Sequence, residues 1–293
     1  MKQKWKRFMA GFLAILTMFS ALFTNGTTAF AASASAKISF WYASTKDSGE
    51  VSELKAGYNH GKVLYAMIDG NSAYCMNFGL SADGGQLMNS YENSSTSMTA
   101  QQEKYLSYCL YYGFSTTNVE APSNDQANAY IATQAMVWII EKGIFGTASA
   151  DSAARKLCTT APDSTASYNY YVNLKNQINN SYNASIPSFA SSTKSGAQTY
   201  ELKWNESNQR FEKTFTDSNG TLGSYNFSLD GYSVDKSGNS MTVYSKSVNT
   251  TATTGTFSSN TGAVTVDDSC VFWLTGKNGY QEFVSEVPNA DPL

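Results

Sequence analysis

Three short stretches of this 293-residue chain hold residues able to do covalent chemistry. The first is Ala73-Tyr74-Cys75-Met76-Asn77, the second Ala132-Thr133-Gln134-Ala135-Met136-Val137-Trp138, and the third Gly279-Tyr280-Gln281-Glu282-Phe283-Val284. A thiol held against a carboxamide can attack its carbonyl and expel ammonia, leaving a thioester, which is an activated acyl group. Enforced proximity in well-oriented cases is worth about 7–11 kcal/mol, enough for a fold to drive such a step. Taken singly, each stretch has an ordinary reading. A cysteine wedged between Tyr and Met is most often inert core. Gln281 alone reads as a strand residue facing solvent, and Gln134 as a satisfied core glutamine. Gln134, however, shares a helical stripe with Tyr130, Ile131 and Trp138. Its amide therefore lies on an apolar face, where each unsatisfied polar group costs about 1–3 kcal/mol. It is expected to hold something specific.

In this order, a Tyr-Cys-apolar motif, a Thr-Gln helix with a following Trp, and a late apolar-Gln-x-apolar strand resemble the thioester domains of Gram-positive surface adhesins, also called TQxA domains. The resemblance covers about residues 37–293 and departs at Met136, where the family motif has Ala. It implies a bond between Cys75 and Gln281, with Thr133, Gln134 and Trp138 on the supporting helix. Tyr74, Trp138 and Tyr280 are candidates to shield the bond from water. It further implies an adhesin domain that acts once rather than turning over, joining an accessible amine, such as a lysine, on a host or surface protein through an amide. A lysine amine has a pKa of about 10.4 and needs a base. His60, the chain's single histidine, is a candidate, although Asn59-His60-Gly61 also reads as an exposed turn. No cofactor is implied.

Two readings compete. Cys75 and His60 could serve a cysteine peptidase or transpeptidase. Alternatively, a β-sandwich could bind glycans or protein non-covalently through exposed Tyr and Trp. The other cysteines are Cys109, Cys158 and Cys270. If one bridge forms, Cys109–Cys158 is the preferred pair, since both fall in the helical stretch; all three could instead be small buried residues. One histidine and no C-x-x-C leave no metal site.

The elements that must position these residues run β, helix, β. Ile38–Tyr42 and Val63–Ile68 are strand-like, and Asp69-Gly70 marks a turn. Residues 98–183 read as helices. Thr99 with Gln102 forms a capping box and Gly113 ends that helix. A second helix runs from Ser123 to Gly143, a third covers 151–158, and a fourth starts near Ser164. Alternating strands return over 186–288. The expected class is α+β, a β-sandwich or barrel with an inserted helical subdomain, as one domain over 37–290.

At the N-terminus, Lys2, Lys4, Lys6 and Arg7 precede an apolar run and Ala29-Phe30-Ala31. This is the pattern of a secretory signal peptide over 1–31, followed by a short linker over 32–36. Its removal would take the formal charge from −3 to −7. That balance argues against nucleic acid, which needs a basic face. No later apolar run is long enough to span a membrane. The mature chain is expected to be secreted, monomeric and held at the cell wall if a sorting signal follows, with 291–293 opening a linker to a C-terminal region.

Overall fold

The computed structural model describes residues 15–17, 35–43, 46, 49–54, 63–80, 87–91, 97–117, 122–191, 198–248, 253–266, 270–274, 280–285 and 290–292. The expected leader lies outside these except for Ile15–Thr17, a short strand parallel to Thr253–Ser259 and antiparallel to Thr199–Glu201. His60 lies outside them too.

The chain divides into two compact units. The larger comprises residues 28–182 and 266–289. Its sheet contains β1 (Ser35–Tyr42), β2 (Leu64–Ile68), β3 (Asn71–Cys75) and β4 (Leu87–Tyr91) from the first half of the chain, and β13 (Val271–Leu274) and β14 (Phe283–Ser285) from its end. They close a barrel in the order β13-β14-β3-β2-β1-β4. The β2–β3 hairpin turns on Asp69 (φ 48) and Gly70 (φ 78), the two left-handed residues that a two-residue hairpin loop requires. Across it, Ala66 pairs with Ala73 and Ile68 with Asn71. The late strand β14 then pairs with β3 in the register Phe283–Cys75, Val284–Tyr74 and Ser285–Ala73.

Between β4 and β13 lie four helices: α1 (Ala100–Tyr112), α2 (Asn124–Glu141), α3 (Ala148–Cys158) and α4 (Ser164–Tyr182). Both expected capping boxes form, Thr99 with Gln102 and Ser123 with Gln126. Helix α3 begins three residues earlier than expected, because Thr147 caps it by accepting from the Ala150 N–H. Helix α2 is buried on every side from Ala127 to Ile140, as a helix apolar all round must be. It packs against the other three helices and against β3. It is therefore the axis of the helical layer rather than an amphipathic lid.

The smaller unit holds residues 183–265, with 1–27 and 290–293. Here β9 (Ser233–Ser237), β10 (Ser240–Ser245), β7 (Arg210–Thr216) and β6 (Lys203–Asn205) form one antiparallel sheet in that order. In a second sheet, β11 (Thr253–Ser259) pairs antiparallel with β8 (Tyr225–Leu229), and on its other side lie Ile15–Thr17 and then β5 (Thr199–Glu201); β12 (Val264–Val266) pairs with Ala290–Pro292. The core of this unit is Leu202, Phe211, Phe215, Leu222, Leu229, Met241 and Val243. The barrel with a helical insertion is thus as expected, and 183–265 forms a further β unit nested within the sequence of the first.

Candidate functional site

Strand β3 ends on Cys75. The ladder between β2 and β3 stops at Ala66–Ala73, and α2 takes over from there. The Tyr130 hydroxyl accepts from the Ala66 N–H at 3.1 Å and donates to the Ala73 carbonyl at 2.6 Å. One turn further along the helix, the Gln134 amide grips the main chain of Cys75 at both ends. Its Oε1 accepts the Cys75 N–H at 2.7 Å, and its Nε2 donates to the Cys75 carbonyl at 2.8 Å. Two helix side chains stand in for a missing strand, and the backbone of the cysteine has no unpaired polar group. This is the specific partner that the buried amide of Gln134 required.

Next to it, Thr133 joins the helices. Its hydroxyl donates to the Ala129 carbonyl and accepts from the Phe114 N–H, both at 3.0 Å. Gly113 permits that approach: a Cβ there would sit 2.5 Å from both the Cys109 carbonyl and the Thr133 methyl. Tyr74 points to the opposite face of β3 from Cys75, as strand alternation demands. It stacks on Tyr130 at 4.9 Å and donates to the Phe114 carbonyl. Tyr74 is thus an anchor between strand and helix, and not a cover for the thiol as the sequence suggested.

After Met76 the chain turns on Asn77, a non-glycine residue with φ 52, a conformation Asn tolerates better than most residues. Its Oδ1 accepts from the Glu282 N–H at 2.8 Å, while the Met76 N–H donates to the Glu282 carbonyl at 2.7 Å. These two bonds carry the β3–β14 pairing past its last strand residue. They set Gln281 diagonally across from Cys75, on the same face of the pair, within reach of a long side chain. The Gln281 Nε2 donates to the Leu80 carbonyl. Its Oε1 is buried with no partner among the described residues. Cys75 and Gln281 are 4% and 7% exposed. Tyr280 is 39% exposed, while Trp138 is buried with its ring 4.8 Å from that of Phe78.

Burial pushes the Cys75 thiol far above its ordinary pKa. As a free thiol it is therefore protonated and a weak nucleophile. An acylated sulfur carries no charge and loses nothing by being buried there. All four cysteines are buried and none is in a disulfide. The expected Cys109–Cys158 bridge does not form: Cys109 Sγ faces the Thr133 carbonyl at 4.0 Å, and Cys158 sits beside Ser167, its thiol pushed up to about 11 by burial. They occupy different helix contacts, each as a small core residue. No group of three or more His, Cys, Asp or Glu residues able to hold a metal ion occurs among the described residues. Nor is any helix among them long and apolar enough to cross a membrane.

Of the residues the sequence singled out, Gln134 is bonded to the Cys75 main chain and Thr133 is its neighbour on the helix, while Gln281 lies two residues before Phe283, the residue opposite Cys75. The sequence reading missed Tyr130 as a bridge and Asn77 as a turn. The sequence signal for Asn77 was an Asn directly after a strand, a residue type at home in left-handed turns.

Residues 72–184 match the protein family described as thioester domain. That stretch contains β3 with Cys75 and all four helices. Among solved structures, the chain is similar to the thioester domain of the Staphylococcus aureus TIE protein, at 14% identity and a TM-score of 0.45. The alignment covers 88% of this chain and 97% of that one. No curated protein matches.

Proposed function

We propose, from the thioester-domain match over 72–184 and the diagonal placement of Gln281 beside Cys75, that this chain is the reactive domain of a secreted surface adhesin. The Cys75 sulfur attacks the Gln281 Cδ, ammonia leaves, and a thioester joins the two side chains. A primary amine of a partner, such as a lysine side chain, then attacks the same carbon. The C–S bond breaks, the amine proton passes to sulfur, and an amide to the partner remains. The observation that carries this reading is the double grip of Gln134 on the Cys75 main chain. It fixes the thiol in a buried site without using any group the reaction consumes. The buried sulfur also restrains the reaction, because a thiolate is a poor leaving group while it is desolvated.

The peptidase reading needs a thiolate ready for each incoming substrate, and burial of Cys75 works against one, whereas a carboxamide held beside the thiol offsets its weak nucleophilicity by proximity. The non-covalent reading needs aromatic platforms on the surface; the large exposed aromatics among the described residues are Trp204 and Tyr280. Neither reading gives Gln281 a role.

Intact mass decides. The wild-type chain, freed of its leader, should be lighter than its sequence by one ammonia. Methylamine should then add its full mass across the bond, and Cys75→Ala should restore the sequence mass. A wild-type protein at full sequence mass, or a deficit that survives Cys75→Ala, overturns the proposal.

A further inference from the structure

Two buried polar atoms beside the turn at residues 77–80 have no hydrogen-bond partner among the described residues, and they are of opposite kind. The indole Nε1–H of Trp138 can only donate, and the amide Oε1 of Gln281 can only accept. Trp138 is 5% exposed and Gln281 7%. Native interiors keep few such orphans, and each calls for an explanation.

Their placement supplies one. Helix α2 runs along the end of β3 so that its successive turns meet successive residues of the strand and the turn after it. Tyr130 meets Ala73, Gln134 meets Cys75, and Trp138 meets Phe78, with ring centroids 4.8 Å apart and planes at 68°. Gln281 enters the same turn from β14, where its Nε2 is tied to the Leu80 carbonyl and the neighbouring Glu282 N–H to Asn77. The donor and the acceptor thus flank one four-residue turn. They are not bonded to each other while Gln281 is a free amide.

We propose that the Trp138 Nε1–H is the oxyanion donor of this site, an inference that rests on the Cys75–Gln281 reading. Bonding of the Gln281 Cδ to sulfur draws the acyl group away from Leu80 and lets its oxygen turn to the indole. Attack on that carbon, by the thiol in formation or by an amine in opening, places negative charge on the same oxygen in each tetrahedral intermediate. Collapse returns the electrons to the C=O bond and expels ammonia in the first case and the Cys75 sulfur in the second, the proton of the attacking group going to the leaving group. A fixed donor in a buried, low-dielectric site stabilises that charge far more than one in solvent. In formation the indole has no partner in the resting amide and contributes nothing to that ground state; in opening its bond to the acyl oxygen strengthens as charge grows there, and only that difference accelerates the step.

The test begins with wild-type intact mass. If the ammonia deficit is absent, the thioester reading fails before Trp138 is in question. If it is present, Trp138→Phe keeps a ring against Phe78 and removes the N–H. Methylamine uptake should then slow by roughly 10²–10³-fold, the usual loss for one oxyanion donor. A rate within about twofold of wild type overturns the proposal. Should this variant melt early or carry no thioester, the wild-type indole decides. In ¹⁵N-labelled protein the Trp138 Nε1–H resonance, assigned by its absence from Trp138→Phe, should lie downfield in the thioester form relative to Cys75→Ala. The same position in both would overturn the assignment of Trp138 to the acyl oxygen.

Discussion

The Gln134 amide is tied at both ends to main-chain atoms of Cys75, so its removal strands a donor and an acceptor in the interior. Gln134→Leu should lower unfolding free energy by about 2–6 kcal/mol, from two unsatisfied groups at about 1–3 kcal/mol each. A denaturant titration reads this directly, and intact mass should show a smaller fraction carrying the thioester. Asn77 makes a subtler case. Asn77→Ala loses the bond to the Glu282 N–H and strains a left-handed backbone, whereas Asn77→Gly loses only the bond. Thioester yield, measured by mass, should fall further in the alanine variant. Gln134 was legible in the sequence because an amide on an apolar stripe must have a partner. Tyr130 was not, because its bond to β2 and β3 exists only once the sheet has split. Gln281 was legible through its family motif alone, since nothing local distinguishes it from a strand glutamine at the surface.

Among elements, the Asp69-Gly70 hairpin and both capping boxes were readable, because each is fixed by residues within a few positions of one another. The start of α3 was misplaced, since Thr147 caps it without a Glu or Gln three residues on. The burial of α2 on all sides was not readable either, because it depends on three helices packing around it. The joint between α1 and α2 is tight enough to test: Gly113→Ala must push apart the Cys109 carbonyl and Thr133. It should cost about 1–3 kcal/mol, as overpacking does, seen as a lower melting temperature. A second joint is electrostatic. Glu53, on the turn Ser52–Leu54, pairs with Lys156 of α3 at 2.8 Å and accepts from Ser152 at 2.5 Å. Lys156, then Ser152, holds the Glu53 carboxyl down at about 2. A depressed carboxylate adds stability above its unfolded pKa of about 4.3 and loses it as the pH falls towards the folded value. Wild type should therefore lose stability between about pH 4.3 and pH 2, and Glu53→Gln should flatten that part of the stability–pH curve.

For the whole molecule, the order of β, helix and β was legible from hydrophobic period. The nesting of 183–265 as a unit with its own core was not, because composition does not change at its edges. That core can be probed separately. Met241 is fully buried in it, and Met241→Ala should cost about 2–4 kcal/mol from the cavity it leaves. Hydrogen exchange should show the loss in the amides of β7 and β10.

The bond from Gln281 Nε2 to the Leu80 carbonyl bears on which attackers leave a contented product. A primary amine yields a secondary amide, which keeps one N–H and can restore that contact. Water yields a carboxylate and an alcohol yields an ester, and neither has a proton to offer Leu80. On the proposed chemistry the site thus behaves like a latch cut for nitrogen. It closes on the starting glutamine and on the amine-linked product, and it stands open only for the activated state between them.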